Sequence, residues 1–235
     1  MIIYILIGVA ILLFVAMLIF SATAYKRFIK AYQKYSQYNT YVNVVGVKFA
    51  TLMIKNLDLK TKIFITDHEL ADSYLPTKNS IVLSKQVAHN SSIASIAIVA
   101  HELGHAVQHK HKNFMFLFSC FLSLVIRICR FILPIMIAIG FVFLFFAEYN
   151  MIGQILLIVS ASLIILSYVL KLVNIPVEFG ASKIAYDFLK DKDILSADEL
   201  KHAKKMLYIA GQTYIASLFM GFVNFFKKIA NSFKK

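Results

Sequence analysis

Long stretches without a single charged side chain restrict the folds open to this chain more than any other feature of the sequence. Residues 2–20 form the first stretch, which is long enough for a helix to cross the hydrocarbon core of a bilayer. Residues 131–147 and 151–170 form two more, and the short link between them leaves room only for a helical hairpin. Because 60% of the 235 residues are hydrophobic and 16% are charged, we expect lipid to cover part of the protein.

Two other apolar stretches are less decisive. Residues 114–126 are apolar, but the stretch is short and stops at Arg127, which predicts a re-entrant, interfacial or buried helix rather than a span. Residues 208–226 are interrupted by Gln212 and Asn224, so a span and a buried helix are both open there. The pattern as a whole predicts a mainly α-helical, multi-pass membrane protein.

The charged residues are unbalanced and follow the apolar stretches. Lys and Arg number 25 against 12 Asp and Glu, a formal net charge of +13. They do not form the single patch that a nucleic-acid interface needs, so we expect no nucleic-acid partner. They flank the apolar stretches instead, as in cytoplasmic loops that meet anionic lipid headgroups. The flanking residues are Lys26, Arg27, Lys30, Lys34, Arg127, Arg130 and Lys171.

A small β element is predicted between the first apolar stretch and the centre of the chain. Residues 62–66 and 80–84 are short strand candidates, and the stretch between them is rich in turn residues. We expect the strand at residues 81–83 to have a free edge. Such an edge binds an extended peptide through backbone hydrogen bonds and gives little sequence selectivity.

One short motif has residues suited to metal binding and catalysis. Residues 90–92 offer helix caps before an apolar helix that runs into HELGH at residues 101–105. Positions four apart share a helix face, so His101 and His105 can each present an imidazole nitrogen to one metal ion, and imidazole suits Zn²⁺. Glu102 is rotated by about 100° around the helix axis, which places its carboxylate beside the metal as a general base. The motif therefore predicts a zinc-dependent hydrolase.

A hydrolytic zinc site usually takes a third protein ligand, and carboxylates are scarce in this chain. His109 continues the same helix face, but its spacing is not that of the extended three-histidine motifs. Glu148 lies in the predicted hairpin turn. Glu178 is unusual, because it is an isolated carboxylate among apolar and small residues, where an unpaired charge is costly to bury. The remaining acidic residues near it have the pattern of a solvated face: Asp187, Asp191, Asp193, Asp198 and Glu199.

The order and spacing of four segments resemble the neutral zinc metallopeptidases, also called YugP-like membrane metallopeptidases. The resemblance covers residues 66–218 and implies a zinc-binding integral membrane protease with a gluzincin-like HExxH helix. The chain departs from the family at Ser73 and Leu75, which stand where its members carry a histidine and a second acidic residue. The four segments are residues 72–84, which end in IVLS; SSIASIAIVAHELGHAVQH; PVEFGASKIA; and TYIAS at residues 213–217.

A looser similarity to the HtpX-type membrane proteases implies the third ligand. Those proteases take it from a glutamate in a downstream helix, and this role maps onto Glu178, with Ser182 where they carry an aspartate. Pro176 can begin a helix there, because its missing N–H costs nothing in a first turn. Gly180 would let that helix approach the HELGH helix closely. We therefore expect His101, His105 and Glu178 to bind Zn²⁺ and Glu102 to act as the catalytic base.

Four parts of the chain are predicted. These are a transmembrane anchor at residues 1–24, a cytoplasmic metallopeptidase part at 25–113, a membrane-embedded region with the hairpin at 114–173, and a third-ligand helix followed by an apolar helix and basic tail at 174–235. The predicted function is hydrolysis of peptide or protein substrates at the cytoplasmic side of the cell membrane. The alternative is a catalytically silent membrane scaffold or adaptor that retains a structural zinc site. A metal transporter would need ionisable residues within spans, and the two clearest spans have none.

Overall fold

The computed structural model describes residues 26–212 and four isolated residues before them. The predicted anchor at residues 2–20 lies almost entirely outside the described residues, and so does most of the apolar stretch at residues 208–226. The four isolated residues are Val15, Ile19, Thr23 and Ala24.

The described part of the chain is mainly helical and carries one small three-stranded sheet. In chain order, the elements are α1 (26–35), α2 (Gly46–Asn56), β1 (Lys62–Thr66), β2 (Ser73–Leu75), a single 3₁₀ turn (Pro76–Lys78), β3 (Ser80–Ser84), α3 (Lys85–Ala88), α4 (Ile93–Lys110), α5 (Phe114–Leu144), α6 (Asn150–Lys171), α7 (Asn174–Asp191) and α8 (197–212). They group into two compact units, one formed by residues up to Lys112 and from Glu178 onward, the other by Asn113–Val177.

The sheet has the order β1-β3-β2, with β1 parallel and β2 antiparallel to β3. The predicted strands at residues 62–66 and 80–84 are confirmed as β1 and β3. The expectation that residues 81–83 offer a free edge is wrong, because β3 is the central strand and both of its sides are already hydrogen-bonded. The short strand β2 lies in the turn-rich stretch and was not predicted.

Helix α4 runs through the first unit and is buried on almost every side. It begins after Ser92, whose hydroxyl accepts a hydrogen bond from the Ser95 N–H at 3.2 Å, an N-cap that satisfies one of the first free amides. Small side chains such as Ala97 and Ala100 are fully buried and allow neighbouring elements to pack against it. The predicted cap and helix are therefore confirmed.

Helices α7 and α8 follow the predicted pattern. Helix α7 carries Pro176 in its first turn, and a break after Asp191 separates it from α8. A capping box begins α8: the Ser196 N–H donates to Glu199 Oε2 at 2.7 Å, and the Glu199 N–H donates to Ser196 Oγ at 3.4 Å. Glu199 also accepts the Tyr41 N–H at 2.6 Å, so it is a structural residue rather than part of a solvated face.

In the second unit, α5 is a single helix of 31 residues. The prediction of a separate short segment at residues 114–126 is wrong. Arg127 is exposed on the helix surface and does not end it, and Pro134 lies within the helix without interrupting it. The predicted hairpin is confirmed, since a Cβ on Gly153 would lie 2.7 Å from the Gly140 carbonyl oxygen, a contact of two closely packed backbones.

One helix in the described part of the chain is both long and apolar enough to cross a bilayer. This is α5, with a mean hydropathy of 2.2 over its most apolar 18 residues and only 6% of that window buried. The apolar segment Asn150–Ile164 of α6 is shorter. The described residues therefore do not by themselves support the expectation of several membrane spans.

Candidate active site

Two histidines of α4 face the same point. His101 and His105 are one helical turn apart, and their ring centroids lie 4.8 Å from each other with the ring planes at 83°. Each residue is only 9% exposed. The i, i+4 spacing and the burial of α4 thus place both imidazoles side by side in the interior of the first unit.

Glu178 of α7 lies against this pair. Its Oε2 atom is 3.2 Å from His101 Nε2 and 3.6 Å from His105 Nε2. The helices can approach because α4 has no side chain at Gly104: a Cβ there would lie 2.5 Å from the Ala181 carbonyl oxygen. Donor atoms of the three side chains all lie within 4.8 Å of one another.

The other nitrogen of each imidazole has its own partner. His101 Nδ1 lies 3.1 Å from Ser182 Oγ, and His105 Nδ1 lies 3.0 Å from Gln108 Oε1. The Ser182 hydroxyl is 3.5 Å from the Leu207 carbonyl oxygen and can donate to it, which leaves Ser182 Oγ to accept from His101. Protons on both Nδ1 atoms would leave both Nε2 lone pairs facing Glu178, the tautomer that metal-ligating histidines adopt.

This donor set fits a zinc ion. Two imidazole lone pairs and a carboxylate oxygen repel one another unless a cation lies among them. Two histidines and one glutamate form a common ligand set of hydrolytic zinc sites, in which the fourth position stays open. A Nδ1 partner for each histidine is the outer support that such sites require.

Contacts within the cluster also shift the pKa values of Glu178 and His105. Burial acts to raise the pKa of Glu178, but hydrogen bonds and charge from His101 and His105 outweigh it and hold the pKa of this carboxyl well below its usual range. Burial acts to lower the pKa of His105, yet the contact with Glu178 raises it. The Glu178 carboxyl is therefore ionised beside the two imidazoles, as a metal-binding carboxylate must be.

Glu102 lies beside the cluster, on the wall of a cavity of about 240 Å³. Its backbone position, one residue after His101, turns the carboxylate away from the three clustered donors. Burial raises the pKa of the Glu102 carboxyl, although His101 and His105 act in the opposite direction. The side chain nevertheless keeps partial exposure, because it borders the cavity.

The structure brings together the four residues singled out in the sequence: His101, Glu102, His105 and Glu178. His109 is directed elsewhere, since its Nδ1 atom is 2.6 Å from the Tyr74 hydroxyl. Sequence reasoning missed Gln108, although its position three residues after His105 could have indicated a partner on the same helix face. It also missed Asp72 as a residue of the cavity wall, for which no local signal exists.

Comparison with known proteins places the chain in a family. Residues 10–232 match the family model described as "Putative neutral zinc metallopeptidase". Over 148 residues, 63% of this chain, the sequence is 28% identical to "Putative membrane protease YugP" of Bacillus subtilis (strain 168). That alignment covers 62% of the relative, less than two thirds of its length. No solved structure matches the chain significantly. Since the family model spans most of the sequence, the chain belongs to the neutral zinc metallopeptidase family.

Proposed function

We propose that the protein is a membrane-associated zinc peptidase that hydrolyses peptide bonds with Glu102 as the general base. One observation carries the proposal. Two Nε2 atoms and one carboxylate oxygen converge within 4.8 Å, and a further carboxylate, Glu102, lies next to them on the wall of an accessible cavity. Family membership supports the same reading.

In the proposed mechanism, His101, His105 and Glu178 hold the zinc. When bound, zinc supplies Lewis acidity, which makes water more acidic and polarises the substrate carbonyl. Glu102 takes a proton from the attacking water and later donates it to the leaving amine, so that the carboxylate is regenerated. Ser182 and Gln108 hold the imidazoles in their tautomer and orientation through the Nδ1 atoms.

The membrane part of the proposal rests on the apolar surface of the second unit. Helix α5 exposes large apolar side chains along its length, which water would not solvate favourably. We infer that the α5–α6 hairpin enters the bilayer together with the anchor at residues 1–24. The basic residues would lie at the cytoplasmic face, near anionic headgroups, with the zinc site on that side. The relative from Bacillus subtilis is also named a membrane protease.

The test of the chemistry is Glu102→Gln in detergent-solubilised full-length protein. Hydrolysis of casein and of a peptide library should be abolished while zinc content stays near that of the wild type, because the side chain moves protons and does not bind the metal. Glu148→Gln is the matched control, since it removes an exposed carboxylate in the hairpin turn and should leave hydrolysis unchanged. A variant that loses its zinc or keeps its activity would refute the assigned role. Wild-type protein that holds zinc but hydrolyses nothing would favour the scaffold alternative.

A further inference from the structure

The cavity beside the zinc cluster contains a carboxylate that the proposed mechanism does not use. Asp72, in the loop between β1 and β2, lines the cavity together with His101, Glu102 and Glu178. The rest of the wall is apolar and comes from α1, the same loop, α4 and α8. Its residues are Phe28, Leu70, Ala97, Ile98, Met206, Leu207 and Ala210.

Asp72 is held in place by the end of strand β3. Its Oδ1 atom accepts the Ser84 N–H at 2.7 Å, and the Ser84 hydroxyl lies 3.1 Å from both Oδ1 and Oδ2. Three hydrogens reach this carboxylate, from the backbone amide and the hydroxyl of Ser84 and from the backbone amide of Asp72 itself. An ionised carboxylate has about four acceptor sites, so Asp72 keeps unused acceptor capacity in a fixed orientation.

Neither Lys nor Arg is among the described residues that line the cavity beside Asp72, although the chain carries a net charge of +13. His101 also lines the cavity, but in the proposed function it binds the zinc and is then neutral. In the described part of the chain, the ion pairs of Lys or Arg involve Asp58, Asp67 and Asp198. A divalent cation at the cluster would balance the negative charges of Glu178 and Glu102, but the negative charge of Asp72 would remain unbalanced. Burial raises the pKa of Asp72, which means that its charged form is poorly solvated and would gain from a cationic partner.

We propose that Asp72 selects substrates that place a cationic group, the ammonium or guanidinium of a lysine, arginine or peptide amino terminus, next to the scissile bond. This inference rests on the proposed function. A lysine or arginine side chain suits the cavity, because its aliphatic stem packs against apolar walls while its charged end reaches the carboxylate. At about 240 Å³ the cavity is smaller than typical small-molecule sites, so it accommodates one side chain rather than a longer segment.

The test is peptide binding to zinc-loaded Glu102→Gln protein, measured by fluorescence anisotropy. Peptides carry lysine, Nε-acetyl-lysine or norleucine at one scanned position, each with a free or acetylated amino terminus. The lysine peptide should bind about 10- to 100-fold tighter than its acetylated or norleucine counterpart, the range expected for a charge-assisted hydrogen bond. If acetylation of the amino terminus weakens binding by this factor and the change of side chain does not, the amino terminus is the cation that Asp72 binds.

Asp72→Asn in the same background should abolish the preference, because the amide keeps the shape and loses the charge. Asp67→Asn is the matched control: it alters an exposed aspartate of the same loop and should leave the preference intact. Equal binding of all the peptides by the parent protein would overturn the inference, and this comparison decides the matter even if Asp72→Asn does not fold. Hydrolysis by the wild type without cationic preference would refute this inference alone, whereas no hydrolysis of any peptide would refute the proposed function.

Discussion

Glu178 shows how one residue can connect two distant parts of a chain. It is 77 positions from His101, yet its Oε2 atom lies 3.2 Å from that imidazole. Removing it would leave two imidazoles, which form a weak zinc site. We therefore expect Glu178→Ala to lower zinc affinity by orders of magnitude and to eliminate hydrolysis. Zinc content after dialysis against a mild chelator measures the effect.

The control for this substitution has to be chosen from the structure. A place in a solvated face would make Glu199→Ala a neutral substitution. In the structure, however, it would remove acceptors for the Ser196 and Tyr41 amides and destabilise α8 by about 1 kcal/mol. Asp198→Ala is the better choice, because its side chain is 84% exposed and its ion pair with Lys201 lies on the surface. Retention of stoichiometric zinc by Glu178→Ala would show that the third ligand lies elsewhere.

Asp72 also has a consequence for the pH dependence of stability. Because burial raises its pKa in the folded state, protonation of Asp72 is easier in the folded chain than in the unfolded chain. The folded chain is therefore most stable, as far as Asp72 is concerned, below the pKa that this carboxyl has in the unfolded chain. Stability falls as the pH rises from that unfolded pKa to the raised folded pKa, and the full cost of ionising Asp72 remains above it. The melting temperature of Asp72→Asn relative to wild type should rise between pH 4 and 7. A difference that is constant over this range would contradict the raised pKa.

At the scale of elements, the crossing of α4 and α7 determines whether the cluster exists. Gly104→Ala places a Cβ 2.5 Å from the Ala181 carbonyl oxygen, and backbone atoms cannot move aside cheaply. We expect a loss of about 1–3 kcal/mol in the free energy of unfolding and weaker zinc binding, because the helices must separate. Chemical denaturation and zinc titration measure the two effects.

Gly211 in α8 provides the comparison for that experiment. A Cβ there would lie 3.2 Å from the edge of the Phe179 ring, a side chain that can adjust. Gly211→Ala should therefore keep wild-type zinc affinity. Equal zinc affinity of Gly104→Ala and wild type would mean that Glu178 reaches the histidines without the close approach of the helices.

At the scale of the whole molecule, the length of α5 bears on the proposed membrane topology. A helix of 31 residues is about 46 Å long at 1.5 Å per residue, longer than a hydrocarbon core of roughly 30 Å. Part of α5 would then lie outside the core. Because Arg127 is exposed, we expect the part outside the core to be the beginning of α5, on the cytoplasmic side.

Cysteine labelling of intact cells tests this topology. In a variant without the native Cys120 and Cys129, a membrane-impermeant reagent added outside should label a cysteine at Tyr149, in the hairpin turn, and not one at Lys34, because basic residues stay in the cytoplasm. Labelling at Lys34 alone would invert the proposed orientation. Labelling at neither position in intact cells, but at both after lysis, would place the hairpin turn inside the cell.

The parts of this protein that depend on local periodicity and local hydrogen bonds could be predicted from the sequence. The i, i+4 spacing of His101 and His105, the Ser92 cap and the strands at residues 62–66 and 80–84 are all readable within a few residues. The looser similarity to the HtpX-type membrane proteases pointed to Glu178 as well, and the carboxylate does lie beside the two histidines.

Features that depend on pairing between distant segments became visible only in the tertiary structure. It inserted β2 beside β3 and so removed the expected free edge, and it brought Asp72 into the cavity wall. It also showed α5 to be continuous past Arg127, since an exposed charge is solvated at the helix surface and does not break backbone hydrogen bonds. Each of these outcomes depends on which surfaces meet in space, and the free energy of such contacts is not encoded in any short stretch of residues.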